Sequence, residues 1–155
     1  MMLQVGQKAP EFALPDEDNT MHTLSEYKGK WVLLYFYPKD DTPGCTTEAC
    51  SMRDNLPHFN DIKAVVLGVS VDSVESHKKF AQKYTLPFTL LADTGKTVVN
   101  QYGVWQSKTI FGKEVGGTKR TSFLIDPKGN IAKIYLNVNP LTHTKEVLKD
   151  FEDIS

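Results

Sequence analysis

Two apolar runs, Trp31 to Tyr37 (WVLLYFY) and Ala64 to Val71 (AVVLGVSV), constrain this chain more than any other feature. The first is rich in aromatic and β-branched residues, shows no polar alternation and is stopped by Pro38, so it reads as a strand buried on both faces. The second reads as another strand. Between them, Pro43 is placed to open a helix and Pro57 to close it. Strand, helix and strand in that order make a parallel crossover unit.

The remaining segments fit around this unit. Phe12 to Leu24 hold an acidic turn, PDEDNT, between short apolar stretches, which suggests a peripheral hairpin or extended loop. Asp72 and Ser73 are cap candidates for an amphipathic helix through Tyr84. Phe88 to Leu91 reads as a short strand, and Lys96 to Tyr102 as a short helix ended by Gly103. TSFLID and NIAKIYL flank Asp126-Pro127-Lys128-Gly129, a turn that joins them as an antiparallel hairpin. LTHTKEVLKDFEDI forms a last amphipathic helix. The expected fold is α/β: a thioredoxin-like fold with a central mixed sheet flanked by helices and an N-terminal extension, in one domain spanning residues 1–155. QSKTIFGKEVGG, residues 106–117, yields no residue-by-residue reading.

Composition narrows the functional classes. A chain of 155 residues can bury close to 70% of its unfolded surface, so a core forms without disulfides or metals. The formal charge is −1, and lysine and arginine are scattered rather than clustered, which argues against nucleic acid and anionic membranes as partners. No segment approaches the roughly 18 apolar residues of a membrane span, and the N-terminus lacks the pattern of a signal peptide. A cytoplasmic location is expected. In such a compartment structural disulfides are rare, so two cysteines five positions apart, Cys45 and Cys50, invite a redox reading.

Those cysteines lie in Pro38-Lys-Asp-Asp-Thr42-Pro-Gly-Cys45-Thr-Thr-Glu-Ala-Cys50. The PxxxTxxC pattern after an apolar strand resembles the active-site motif of peroxiredoxins. CTTEAC, RDNLPHF, ESHKKFAQKY and RTSFLID resemble, more narrowly, the bacterioferritin-comigratory or PrxQ subfamily, and the similarity covers nearly the whole chain. Thr121-Ser122, where Ser-Thr is common, is a small departure. The resemblance implies a thiol peroxidase in which Cys45 attacks the peroxide and Cys50 resolves the product. Thr42, Arg120 and the backbone near Gly44 would hold the peroxide oxygens, and Pro38 would shield the sulfenic acid. Glu48 would orient Arg120, and Trp105 would line the substrate pocket. It also implies a thioredoxin or similar dithiol protein as reductant, a monomer, and no metal or organic cofactor.

Physical chemistry supports the same roles. A thiolate attacks peroxide and a thiol hardly does, so Cys45 needs positive potential around it. The first turn of a helix supplies free N–H groups and the positive end of the macrodipole. Complete conversion of an ordinary thiol to thiolate at neutral pH gains only about thirtyfold, so most of the rate must come from stabilising charge on the peroxide oxygens. Residues five apart in a helix have Cα atoms about 8.7 Å apart and point about 140° apart. A disulfide needs about 7 Å or less, so Cys45 and Cys50 can bond only if the helix between them unwinds. Met52, Leu56 and Phe59 are expected to pack that helix on the core. The four histidines, His22, His58, His77 and His143, show no metal-ligand spacing and read as solvated or capping residues.

Overall fold

The computed structural model describes residues 3–154. Its centre is a five-stranded mixed sheet in the order β5-β4-β3-β8-β9. The strands are β3 (Trp31–Phe36), β4 (Ala64–Ser70), β5 (Thr89–Ala92), β8 (Thr121–Ile125) and β9 (Ile131–Tyr135). β3 runs parallel to β4 and antiparallel to β8, while β8 and β9 form an antiparallel hairpin. The two apolar runs thus lie side by side at the centre, with α1 (Pro43–Asp61) as their crossover.

Alternate residues of β3 divide the core in two. Leu33 and Tyr35, with Tyr37 just beyond the strand, face a layer that includes residues of α1, α2 (Val74–Tyr84) and α4 (His143–Ile154). Val32, Leu34 and Phe36 face a second layer built from the N-terminal segment and α3 (Thr97–Gln101). That N-terminal segment carries a small antiparallel pair, β1 (Ala13–Pro15) and β2 (Met21–Thr23), around the acidic turn. Asp16 closes the turn by accepting from the Asp18 and Thr20 amides at 2.8 and 2.9 Å. Ser73 caps α2 by accepting from the Ser76 amide at 3.1 Å. Among the described residues, no helix is long and apolar enough to cross a membrane.

Two sequence expectations need correction, and one stretch that had no sequence reading is now defined. Pro57 does not close α1, which continues through it to Asp61. A proline inside a helix loses one backbone hydrogen bond, but Phe59 beyond it is fully buried, and packing of this kind contributes about 1.5–3 kcal/mol per large apolar side chain. Of the four histidines only His58 is exposed. His77 and His143 are buried and hydrogen-bonded, and His22 is half-buried against Asp16 and Tyr27. Finally, residues 106–117 fall in a second antiparallel pair, β6 (Trp105–Ile110) and β7 (Lys113–Thr118). Its two-residue turn places Phe111 at φ 50° and Gly112 at φ 76°, the left-handed pair that suits the twist of a hairpin.

Candidate active site

The loop from Tyr37 to Thr42 carries the chain out of β3 and into α1. Thr42 is the N-cap of α1 with extended backbone, Pro43 follows at the first helical position, and Cys45 lies in the first turn. The first intrahelical bond is donated by the Thr46 amide to the Thr42 carbonyl at 2.8 Å. The amides of Gly44 and Cys45 precede it and have no carbonyl of their own helix to meet. The Thr42 hydroxyl does not cap the helix. It donates to the Lys39 carbonyl at 2.9 Å, which leaves its oxygen free to accept.

Cys45 is 2% exposed, and its sulfur accepts from Arg120 Nη2 at 3.1 Å. Arg120 comes from a distant part of the chain, one residue before β8, and its carbonyl is held by the Val138 amide at 3.0 Å. Its Nη1 donates to Glu48 Oε1 at 3.3 Å, so one guanidinium bridges the thiol and a buried carboxyl one helical turn further on. Gly44 makes this approach possible. A Cβ on Gly44 would stand 2.7 Å from Nη2, closer than real Cβ contacts come, and the guanidinium would have to withdraw. Pro140, which sequence reasoning missed, flanks the same point at 3.6 Å.

Burial pushes the Glu48 carboxyl up to about 7, and the Arg120 charge offsets only part of that. In the unfolded chain this group ionises near 4.5, so between 4.5 and 7 the native state holds a proton that the unfolded state releases. The stability this contributes is complete below pH 4.5 and is lost as pH rises through 7. Its full size is about 3 kcal/mol. Denaturant unfolding from pH 5 to 8 should therefore show falling stability over this range, and Glu48→Gln should flatten the decline. An unchanged slope in the variant would assign it to other groups.

Tyr35 lies in the wall of the same core layer, and its buried hydroxyl has no hydrogen-bond partner among the described residues. Burial, then the nearby charges of Glu48 and Cys45, push its ionisation far up, so it stays neutral. Gly68 gives it room, since a Cβ there would meet the Tyr35 ring and hydroxyl at 2.9 Å.

Pro38, Thr42, Gly44, Cys45, Glu48 and Arg120 thus lie on one loop, one helix and the foot of one strand. Trp105 does not join them. It packs on the second core layer, its ring against Gly116 and 4.8 Å from Lys96 Nζ. Cys50 lies further along α1, half-buried, and both cysteines are free thiols. Met52 and Phe59 are fully buried, and Leu56 packs partly against the same core layer.

Comparison with known proteins matches residues 5–134 to the AhpC/TSA family. The chain is 52% identical over 148 residues to a protein of Coxiella burnetii named putative peroxiredoxin bcp, covering 96% of this chain and 98% of that one. It is 46% identical over 155 residues to peroxiredoxin Bcp of Bacillus subtilis, covering 100% and 99%. Among solved structures, a cysteine-to-serine mutant of Xylella fastidiosa PrxQ superimposes with a TM-score of 0.92 at 36% identity, over 99% and 98% of the two chains. The bacterioferritin comigratory protein of Xanthomonas campestris, solved as a trapped intermediate/ligand complex bearing on alkyl peroxide reduction, superimposes with a TM-score of 0.87 at 36% identity, over 92% and 90%.

Proposed function

The chain belongs to the AhpC/TSA family, among its Bcp and PrxQ peroxiredoxins, and from that premise we propose that Cys45 is the thiolate with which it attacks peroxide. It is a thiol peroxidase, and the arrangement of Arg120 at 3.1 Å from the Cys45 sulfur is the observation that carries the assignment. The guanidinium and the first-turn amides of α1 place positive charge and N–H donors beside the attacking sulfur. They also donate to the peroxide oxygens as charge builds on them, while the Thr42 oxygen accepts the hydroperoxide proton.

The sulfur takes the distal oxygen of ROOH, the O–O bond breaks, and the alkoxide takes up a proton to leave as ROH. Cys45 is then a sulfenic acid, shielded by Pro38 from further oxidation. The Cys50 thiol condenses with it, water leaves, and a Cys45–Cys50 disulfide forms after local unwinding of α1. A thioredoxin-type dithiol protein reduces that bond by exchange. Hydrogen peroxide and alkyl hydroperoxides are the substrates. Residues 1–155 act as one domain and as a monomer, in the cytoplasm. Glu48 positions Arg120.

Peroxide consumption with a thioredoxin system as the only reductant tests this reading. The wild type should turn over hydrogen peroxide and an alkyl hydroperoxide, and Cys45→Ser should lose both activities. Full activity in Cys45→Ser would remove the basis of the assignment.

A further inference from the structure

His77 was read from sequence as a solvated or capping residue, yet it is fully buried, and both of its ring nitrogens are engaged. Nε2 lies 2.9 Å from the Leu91 carbonyl, which has only lone pairs, so Nε2 carries a hydrogen and donates. Nδ1 lies 2.6 Å from Asp40 Oδ2. A hydrogen must lie between those two atoms as well, whichever of them holds it.

Asp40 sits in the middle of the six-residue loop between β3 and α1, two residues from Pro38 and two from Thr42. Its Oδ1 accepts from the Tyr37 hydroxyl at 2.6 Å, and its Oδ2 accepts also from Ser76 at 2.8 Å. Burial and the Asp40 charge raise the ionisation of Tyr37 far up, which keeps that hydroxyl a donor. The Asp40 amide donates to Asp72 Oδ2 at 2.8 Å, and Ser70 holds the same oxygen at 2.7 Å. Next along the loop, Asp41 accepts from Lys83 at 2.8 Å and from the Tyr84 hydroxyl at 2.9 Å.

Asp40, Asp72 and His77 converge within 4.8 Å of one another. The groups that fill the cluster are hydroxyls, an amide and a carbonyl, the fittings of a hydrogen-bonded anchor. Apart from Tyr37, which belongs to the loop, the anchoring groups come from α2, the end of β4, the short turn between them and, through the Leu91 carbonyl, β5. Arg120 approaches Cys45 from β8, on the other side of β3 in the sheet. When α1 unwinds between Cys45 and Cys50, this anchor does not depend on the segment that moves.

We propose that His77 is a positioning residue for peroxide attack: through Asp40 it fixes the loop that sets Pro38 and Thr42 against Cys45. The inference rests on the peroxidase reading above. Misplacing a reacting or orienting group by about 1 Å costs on the order of a hundredfold in rate, so a loosened loop should be visible in the peroxide step alone.

The test is stopped-flow kinetics on the full chain, with reaction of Cys45 with hydrogen peroxide and formation of the Cys45–Cys50 disulfide followed as separate phases. His77→Leu should lower the peroxide step by about ten- to a hundredfold while disulfide formation is not slowed. His77→Asn, whose amide nitrogen can occupy the place of Nδ1, should restore most of the loss. Ser76→Ala, which removes one hydroxyl donor and no core side chain, should lower the peroxide step severalfold if His77→Leu does not fold. Equal slowing of both phases would show general damage and overturn the proposal, as would wild-type peroxide kinetics in a folded His77→Leu or, failing that, in Ser76→Ala. A wild type that consumed no peroxide would overturn the peroxidase reading and this inference together, whereas an active wild type with indifferent variants overturns the inference alone.

Discussion

Arg120→Met should lower kcat/KM for hydrogen peroxide by about 10²–10³, the usual effect of removing one preorganised donor from a site where negative charge develops. The guanidinium makes both of its described contacts inside the site, to the Cys45 sulfur and to Glu48, while the backbone of Arg120 is held separately by Val138. Methionine replaces much of the apolar stem, so the loss is electrostatic and not a failure to fold. Arg120→Lys recovers only a small part of it. A lysine ammonium is a single point charge and cannot reach the thiol and the carboxyl at once with the geometry of a planar fork. Stopped-flow kinetics at neutral pH reads the effect directly, and a loss smaller than about fivefold would take Arg120 out of the mechanism.

The oxidised protein should be less stable than the reduced one, although oxidation adds a cross-link. A disulfide closing so short a loop stabilises by about 2 kcal/mol in the chain-entropy picture. To form it, the first turns of α1 must open, and those turns bury Cys45, Glu48, Ala49 and Met52. Exposing Met52 alone costs about 1.5–3 kcal/mol. Loss of the Arg120 contacts and of several helical hydrogen bonds adds to it. The reduced form should therefore melt higher by about 5–10 °C in scanning calorimetry, and far-ultraviolet circular dichroism should show less helix after oxidation. An oxidised form that melts higher with unchanged helix content would contradict the unwinding step.

The sheet centre and the cysteine helix are legible in the sequence because they rest on uninterrupted apolar runs and on proline positions, which are local signals. The Asp126 to Gly129 turn and the Ser73 cap are local too, and both stand where they were expected. The β6–β7 hairpin was not legible. Among its described side chains only Thr118 is buried and Trp105 partly so, and it turns at Phe111-Gly112 rather than at the Asn-Gly or Asp-Gly pairs that announce such turns. Pro57 misled because packing of Phe59 outweighs a local penalty, and no local pattern reports that balance.

The site divides in the same way. Cys45, Cys50, Thr42, Pro38 and Glu48 belong to one contiguous segment, whereas the place of Arg120 was supplied by resemblance and is realised by the pairing of β8 with β3. Trp105 packs on the second core layer, and a lone aromatic carries no information in the sequence about which face of the sheet it joins. His77 had a readable signal that went unused. With Val74, Phe80, Ala81 and Tyr84 it shares the three-and-four spacing of an apolar helix face, so burial was implied and a buried polar partner with it. That partner, Asp40, lies 37 residues away, and only the tertiary structure brings it there.

The most direct measurement is intact-protein mass spectrometry after one equivalent of hydrogen peroxide, on wild type, Cys45→Ser and Cys50→Ser, with a dimedone-type trap present. The account predicts a mass loss of two hydrogens in the wild type, mapped to a Cys45–Cys50 disulfide. In Cys50→Ser it predicts a trapped sulfenic acid on Cys45, and in Cys45→Ser no oxidation. A sulfenic acid trapped on Cys50 in the Cys45→Ser variant, or none in either variant, would contradict it.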